Sequence, residues 1–159
     1  MRSRFLYVSL AVLVAGTYGC TSAPKLDENA EKQVIASTPK ADGNIRYFTV
    51  TKWFPNSREI NFAPSKVGPS LIGIAVVTDK SFLFQQWGGP SGLTVIKRID
   101  LKDIENVKII SFFPVKRLLI ETRDKYYDSF GASDSSGEAQ ISEETEKMHK
   151  ALLEVIEKR

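Results

Sequence analysis

The sequence predicts a mainly β (α+β) domain: a small antiparallel barrel or sandwich of about seven strands, closed by one C-terminal amphipathic helix. Three observations carry that expectation. From Asn44 onward, short runs rich in β-branched and aromatic residues recur, as in strands with at least one buried face. Turn-forming Gly, Pro, Asn, Asp and Ser residues separate these runs. Near residue 141 the apolar residues begin to recur at three and four positions, the spacing of one helix face.

The first run, Ile45 to Phe54 (IRYFTVTKWF), is closed by Pro55, Asn56 and Ser57. Leu71 to Thr78 (LIGIAVVT) is apolar and of strand length, and Asp79 with Lys80 makes its turn into Ser81 to Trp87 (SFLFQQW). Gly88, Gly89, Pro90, Ser91 and Gly92 break that run. They lack the Lys-Ser/Thr pair and following helix of a phosphate-binding loop, so a wide hairpin turn is the stronger reading. Leu93 to Leu101, Val107 to Phe113, Leu118 to Arg123 and Lys125 to Phe130 supply four further runs, with turns at Asn106, around Pro114 and at Asp124. Strands this short and regular imply a meandering sheet bent on itself. Ile141, Thr145, Met148, Leu152, Val155 and Ile156 then mark a helix over about Ser142 to Lys158. Ser142 is placed to cap it, acidic residues occupy its first turn, and Lys158 with Arg159 lies at its negative end.

The start of the chain reads differently. Arg2 and Arg4 precede an uncharged run from Phe5 to Gly16, which is shorter than the roughly 20 apolar residues of a spanning helix. It ends in Thr17, Tyr18, Gly19 and Cys20, then turns polar. This segment resembles the lipobox of bacterial lipoprotein signal peptides, with Thr17 and Tyr18 standing where that family prefers Leu and a small residue. The resemblance implies cleavage between Gly19 and Cys20 and covalent attachment of diacylglycerol, with an N-acyl chain such as palmitate, to Cys20. No other cofactor is implied. The alternatives are an ordinary signal peptide cut after Ala15, Gly16 or Gly19, or an uncleaved anchor. Cys20 is the single cysteine, so an internal disulfide is excluded. Thr21 rather than Asp after the cysteine implies, by the same resemblance, an outer-membrane address facing the periplasm.

The chain thus divides into a signal peptide (1–19), a lipidated flexible tether (20–43) and a single β-rich domain with its helix (44–159). The tether is expected because its small, polar composition buries too little apolar surface to offset ordering, although Leu26, Val34 and Ile35 allow a short helix around Asp27 to Ala36. Without Arg2 and Arg4 the 22 basic residues fall to 20, against 19 acidic. That near-neutral balance lacks the basic footprint of a nucleic-acid binder.

Catalytic chemistry is sparse. His149 is the single histidine and flanks the helix stripe, which leaves no His/Cys nucleophile pair and argues against a zinc site. Asp100 with Asp103 and Glu143 with Glu144 read as turn and helix-start residues. Phe112 and Phe113, followed by Lys116 and Arg117, are candidates for partner or membrane contact, being an apolar tip rimmed by positive charge; the competing reading is plain core and turn packing.

Seven strands and a terminal helix resemble the order of the pleckstrin-homology-like superfold. The local text from Gly68 to the C-terminus is similar to its GRAM and bacterial branches: Thr78, Asp79, Lys80, then Ser81 to Phe84, then Leu101, Asp103 and Ile104 in an L-x-D-I stretch, then Leu118 to Thr122. This resemblance implies a non-enzymatic module that binds phospholipid head groups, peptides or other domains. Phosphoinositide binding is not carried over, because the region of the first strand pair offers Arg58 and Lys66 with Glu59 between them. The expectation is an envelope-anchored binding or scaffolding module, and the alternative is a small envelope hydrolase using carboxylates or a serine.

Overall fold

A computed structural model describes residues 26–56, 70–88, 92–112, 114–134 and 139–158. The expected signal peptide (1–19) and Cys20, together with Arg58, Lys66 and Phe113, lie outside the described residues. The elements run α1 (Glu28–Ser37), a 3-10 turn (Lys40–Asp42), β1 (Ile45–Asn56), β2 (Leu71–Thr78), β3 (Ser81–Trp87) and β4 (Leu93–Asp100). A second 3-10 turn (Leu101–Asp103) leads to β5 (Ile104–Phe112), β6 (Val115–Thr122), β7 (Tyr127–Ala132) and α2 (Ser142–Glu157). All seven strands form one antiparallel sheet in the order β4-β3-β2-β1-β7-β6-β5. The strands and the terminal helix match the expected class. The two end strands, β4 and β5, share no ladder, so the sheet is bent but not closed into a barrel.

β1 joins the two halves of the sheet. Thr51, Lys52 and Trp53 pair with β2 on one side and with β7 on the other. The strand continues through Pro55 and Asn56, where the sequence suggested a stop, because from Phe54 onward only β7 remains as a partner and a residue without N–H is tolerated at a ladder edge. Gly73 on β2 is required by close packing: a Cβ there would lie 2.2 Å from the Gln85 carbonyl oxygen and 2.7 Å from Phe84 Cζ.

Apolar residues fill both faces of β2 and β3. On the inner face Ala75, Val77, Phe82 and Phe84 join Leu118, Ile120 and Phe130 from β6 and β7, and Met148, Leu152 and Val155 of α2 close over them. The Phe82 and Phe130 rings meet at 4.6 Å in a tilted pair, a geometry favoured by the ring quadrupoles. On the outer face Ile74, Val76, Leu83 and Leu93 pack with Val34 of α1. Burying each such side chain contributes about 1.5–3 kcal/mol.

That second cluster corrects the expected tether. From Asp27 the chain folds back as a helix capped by the Asp27 carboxylate, which accepts from Asn29 N at 3.1 Å and Ala30 N at 2.9 Å. The short helix allowed around Asp27 to Ala36 is thus part of the domain, together with the buried Asp42 beyond it. Composition misled here because so few apolar side chains, chiefly Ala30 and Val34, suffice when the surface they meet is already apolar.

Smaller corrections concern element ends. β5 starts at Ile104, which pairs with Thr122 across a bulge at Glu105. β6 starts at Val115, paired with Phe112 across the hairpin. β7 starts at Tyr127, because Lys125 takes a positive φ of 64° in the preceding turn. Ser142 is the first helical residue of α2, not its cap; the cap position is Ile141 and makes no side-chain bond. Thr145 ties this end down instead, accepting from Ala132 N at 3.0 Å and donating to the Ile141 carbonyl at 3.1 Å. Lys158 is the C-terminal cap residue, and Arg159 lies outside the described residues.

Candidate functional site

The gap between the two ends of the sheet forms a cleft of about 450 Å³, lined mainly by Lys97, Arg98, Asp100, Asp103, Arg123 and Tyr126. β4 supplies one wall and the turn between β6 and β7 the other. That turn is set by Lys125 N donating to the Thr122 carbonyl at 2.8 Å and Thr122 N donating to the Tyr126 carbonyl at 2.9 Å. Arg123 N donates to the Asp103 carbonyl at 2.9 Å, which links the turn to the one after β4.

Most of the cleft's charges are committed to the protein itself. Lys97 reaches across the gap to the buried Asp128 at 2.8 Å. Asp128 also accepts from Trp53 Nε1 at 2.9 Å, and the Lys97 ammonium lies 5.8 Å from the Trp53 ring centroid. Arg98 donates to the wholly buried Asp42 at 2.5 Å and to Asp100 at 2.8 Å. The hydrogen bond from Asp42, reinforced by Asp100, holds the Arg98 guanidinium above its usual pKa. Behind the turn, Lys125 pairs with Glu105 at 2.5 Å and Glu121 at 3.3 Å. Glu121, which accepts from Tyr127 Oη at 2.9 Å, sits below the usual carboxylate range chiefly because of that bond.

Among the described residues, the Asp103 carboxylate and the Arg123 guanidinium make no ion pair. With Tyr126, 40% exposed, they give the cleft one free charge of each sign beside an aromatic ring. No histidine, cysteine or serine lines it. No group of three His, Cys, Asp or Glu residues among those described is placed to share a metal ion, and no described helix is long and apolar enough to cross a membrane. Such a surface is suited to recognising a partner carrying both charges.

The residues singled out by sequence lie elsewhere. Gly19 and Cys20 fall outside the described residues, as does Phe113. Phe112 is the last residue of β5. Lys116 pairs with Glu146 of α2, and the Arg117 guanidinium stacks 3.6 Å over the Phe54 ring. Half-burial lowers the pKa of Arg117. Both cations at this hairpin are therefore engaged by the protein. His149 is half-buried rather than on the open surface, and its Nε2 is enclosed without a hydrogen-bond partner. Gly88 N donates to the Gly92 carbonyl at 2.8 Å, which joins the two ends of the glycine-rich loop. The cleft itself escaped sequence reasoning. Its charged residues come from β4 and a turn, and nothing local marks Lys97 as the partner of Asp128.

No family model and no curated protein matches this sequence. Solved structures do match in shape. An apo structure of the activated truncation of Vav1 aligns at a TM-score of 0.52 with 12% identity, over 82% of this chain and 30% of that one. The C-terminal domain of an unknown protein from Leishmania infantum aligns at 0.51 with 12% identity, over 79% of this chain and 96% of that one. A Vav1 structure described by its PH and C1 domains aligns at 0.48 with 11% identity, over 82% of this chain and 30% of that one. This chain therefore spans less than a third of the Vav1 chains it resembles. At such identities the likeness concerns the fold alone: one antiparallel sheet of seven strands followed by a C-terminal helix.

Proposed function

We propose that this chain is an envelope lipoprotein, anchored through diacylglycerol and an N-acyl chain on Cys20, whose domain acts as a non-catalytic binding or scaffolding module. The outer membrane, facing the periplasm, is the address that Thr21 favours. The anchor rests on the uncharged run ending in Gly19 and Cys20 and on the need for more than one acyl chain to hold a protein stably on a bilayer. The likeness in fold supports a binding role without naming a ligand.

One observation carries the choice of partner. The cleft's cations Lys97 and Arg98 are neutralised by Asp128, Asp42 and Asp100, which leaves the charges of Arg123 and Asp103 in a cleft also lined by the 40% exposed Tyr126. A phosphorylated head group calls for clustered, uncommitted Lys and Arg, whereas a polypeptide meets mixed charge and an aromatic anchor well. A protein partner is thus favoured over a lipid head group.

The test is a photo-crosslinking residue at Tyr126 in the full chain in its native membranes. A reproducible protein adduct, lost on Arg123→Glu, is expected. Adducts to lipid alone, or none that reproduces, overturn the protein-binding reading. Cys20→Ser should release the protein from carbonate-washed membranes; retention would place the anchor elsewhere.

A further inference from the structure

The position of α1 bears on how an anchored domain sits on its membrane. If the chain were flexible from Cys20 to Gly43, its 23 peptide steps would extend to about 80 Å and let the domain tumble above the bilayer. Because α1 is docked, only the seven steps from Cys20 to Asp27 remain, with a full reach of about 25 Å.

α1 and α2 lie on opposite faces of the sheet, α1 beside β4 and α2 chiefly over β6 and β7. Val34 of α1 packs on the outer cluster, and Met148, Leu152 and Val155 of α2 pack on the inner one. With layers spaced about 10 Å apart, the two helix axes are separated by about 20 Å. Turning α2 toward the membrane would add a helix radius of about 5 Å and an interfacial layer of about 7 Å. The start of α1 would then stand about 30 Å from the acyl boundary, a distance that only a fully stretched leash, its lipidated side chain included, would span at the cost of nearly all its conformational freedom.

Resting on the reading of Cys20 as the anchor, we propose that α1 fixes the orientation of the domain: the face bearing α1 lies against the lipid surface and the face bearing α2 points away from it. Leu26 and Ile35, 45% and 57% exposed, are apolar side chains on the membrane-facing side. Asp27, Glu28 and Glu31 outnumber Lys32 there, so attraction to anionic head groups does not drive the arrangement. The short tether favours it, and it persists at high salt, where surface electrostatics are screened. The β5–β6 hairpin carries Lys116, which pairs with Glu146 of α2, and is therefore turned away from the lipid surface.

The test uses the lipidated full chain in phosphatidylcholine vesicles containing a nitroxide-headgroup lipid, which quenches a fluorophore only at short range. The Cys20 sulfur is blocked by its thioether, so Lys32→Cys and Lys150→Cys each offer one labelling site, exposed on α1 and on α2 respectively. Several-fold stronger quenching at position 32 is expected, unchanged in high salt. A flexible insert of about 16 Gly/Ser residues after Ser22 should bring the two sites toward equality. Equal quenching without the insert, in protein whose mass shows lipidated Cys20, overturns the fixed orientation while leaving the anchor intact. An unmodified Cys20 overturns the anchor and the orientation with it.

Discussion

The carboxamide of Gln85, wholly buried on β3, donates from Nε2 to Thr38 Oγ1 at 3.0 Å and accepts from Ser37 Oγ at 3.0 Å. Thr38 Oγ1 in turn donates to the Val34 carbonyl at 2.7 Å. The last turn of α1 is therefore bolted to the sheet by one side chain that satisfies two hydroxyls. Gln85→Leu keeps the bulk and removes both bonds, so a loss of about 1–3 kcal/mol is expected as a lower urea midpoint. Amide exchange should rise over residues 28–38 and stay low in β2 and β3. Unchanged protection of α1 would show that its apolar contacts alone hold it.

Gly43 gives a second, independent test of the same junction. Its φ of 82° and ψ of −149° belong to a region that L side chains avoid, and a Cβ would lie 2.8 Å from Asp79 Oδ2. Asp79 cannot easily yield, because its carboxylate accepts from Asn44 N at 2.8 Å, from Asn44 Nδ2 at 3.0 Å and from Arg46. Gly43→Ala should cost about 1–3 kcal/mol, whereas Gly92→Ala shares the strain of a positive φ, 73°, but meets no wall beyond the tip of Gln33, at 3.3 Å. Comparing the two by thermal denaturation isolates the contribution of the Asp79 wall. Equal losses would count against it.

The sheet and α2 were legible because each strand carries its own signal in β-branched and aromatic residues, and α2 carries one face at helical spacing. The docking of α1 was written less obviously. Gly73 to Thr78 and Ser81 to Gln85 are buried without a break, and such unalternating runs belong to strands covered on both faces. A second covering layer was thus implied, though Ala30 and Val34 are too few to announce it. The cleft left no comparable trace. Arg98 meets Asp42 across 56 positions, and such pairings are fixed by the bend of the sheet rather than by neighbours in sequence.

The Asp42–Arg98 pair has unequal members: Asp42 is wholly enclosed, while the Arg98 side chain is 42% exposed. Arg98→Ala strands a buried carboxylate, whereas Asp42→Ala removes that charge and leaves an arginine that keeps Asp100 and water. Truncating arginine should therefore destabilise more than truncating aspartate, by an amount within the roughly 1.5–3 kcal/mol of a charged hydrogen bond. Urea titrations of both single variants and the double variant provide the comparison. The reverse ranking would show that the carboxylate is relieved by its surroundings.

Titration separates the acid and alkaline limits of stability. Asp79, Glu121 and Glu144 are held below their ordinary values, Asp79 chiefly by the Asn44 N–H, Glu121 by Tyr127 and Glu144 by Lys147. Depressed carboxylates contribute stability above their unfolded values of 3.8 and 4.5, and this is lost as pH falls through the lower folded ones. Tyr47 lies on the other limb. Burial first, and then its bond to Glu144, raise its hydroxyl above the ordinary value of 10.0. The unfolded chain thus ionises this tyrosine first, so its contribution is complete below pH 10.0 and is lost as pH rises beyond it. Tyr47→Phe should cost about 0.5–1.5 kcal/mol at neutral pH through the lost hydrogen bond. The same change should flatten the fall in urea midpoint above pH 10.0. Lys125 and Lys147, whose ammonium groups are raised by Glu105 and Glu144, retain their part of that fall. An alkaline limb as steep in the variant as in the parent would show that the Tyr47 hydroxyl titrates normally in the folded protein.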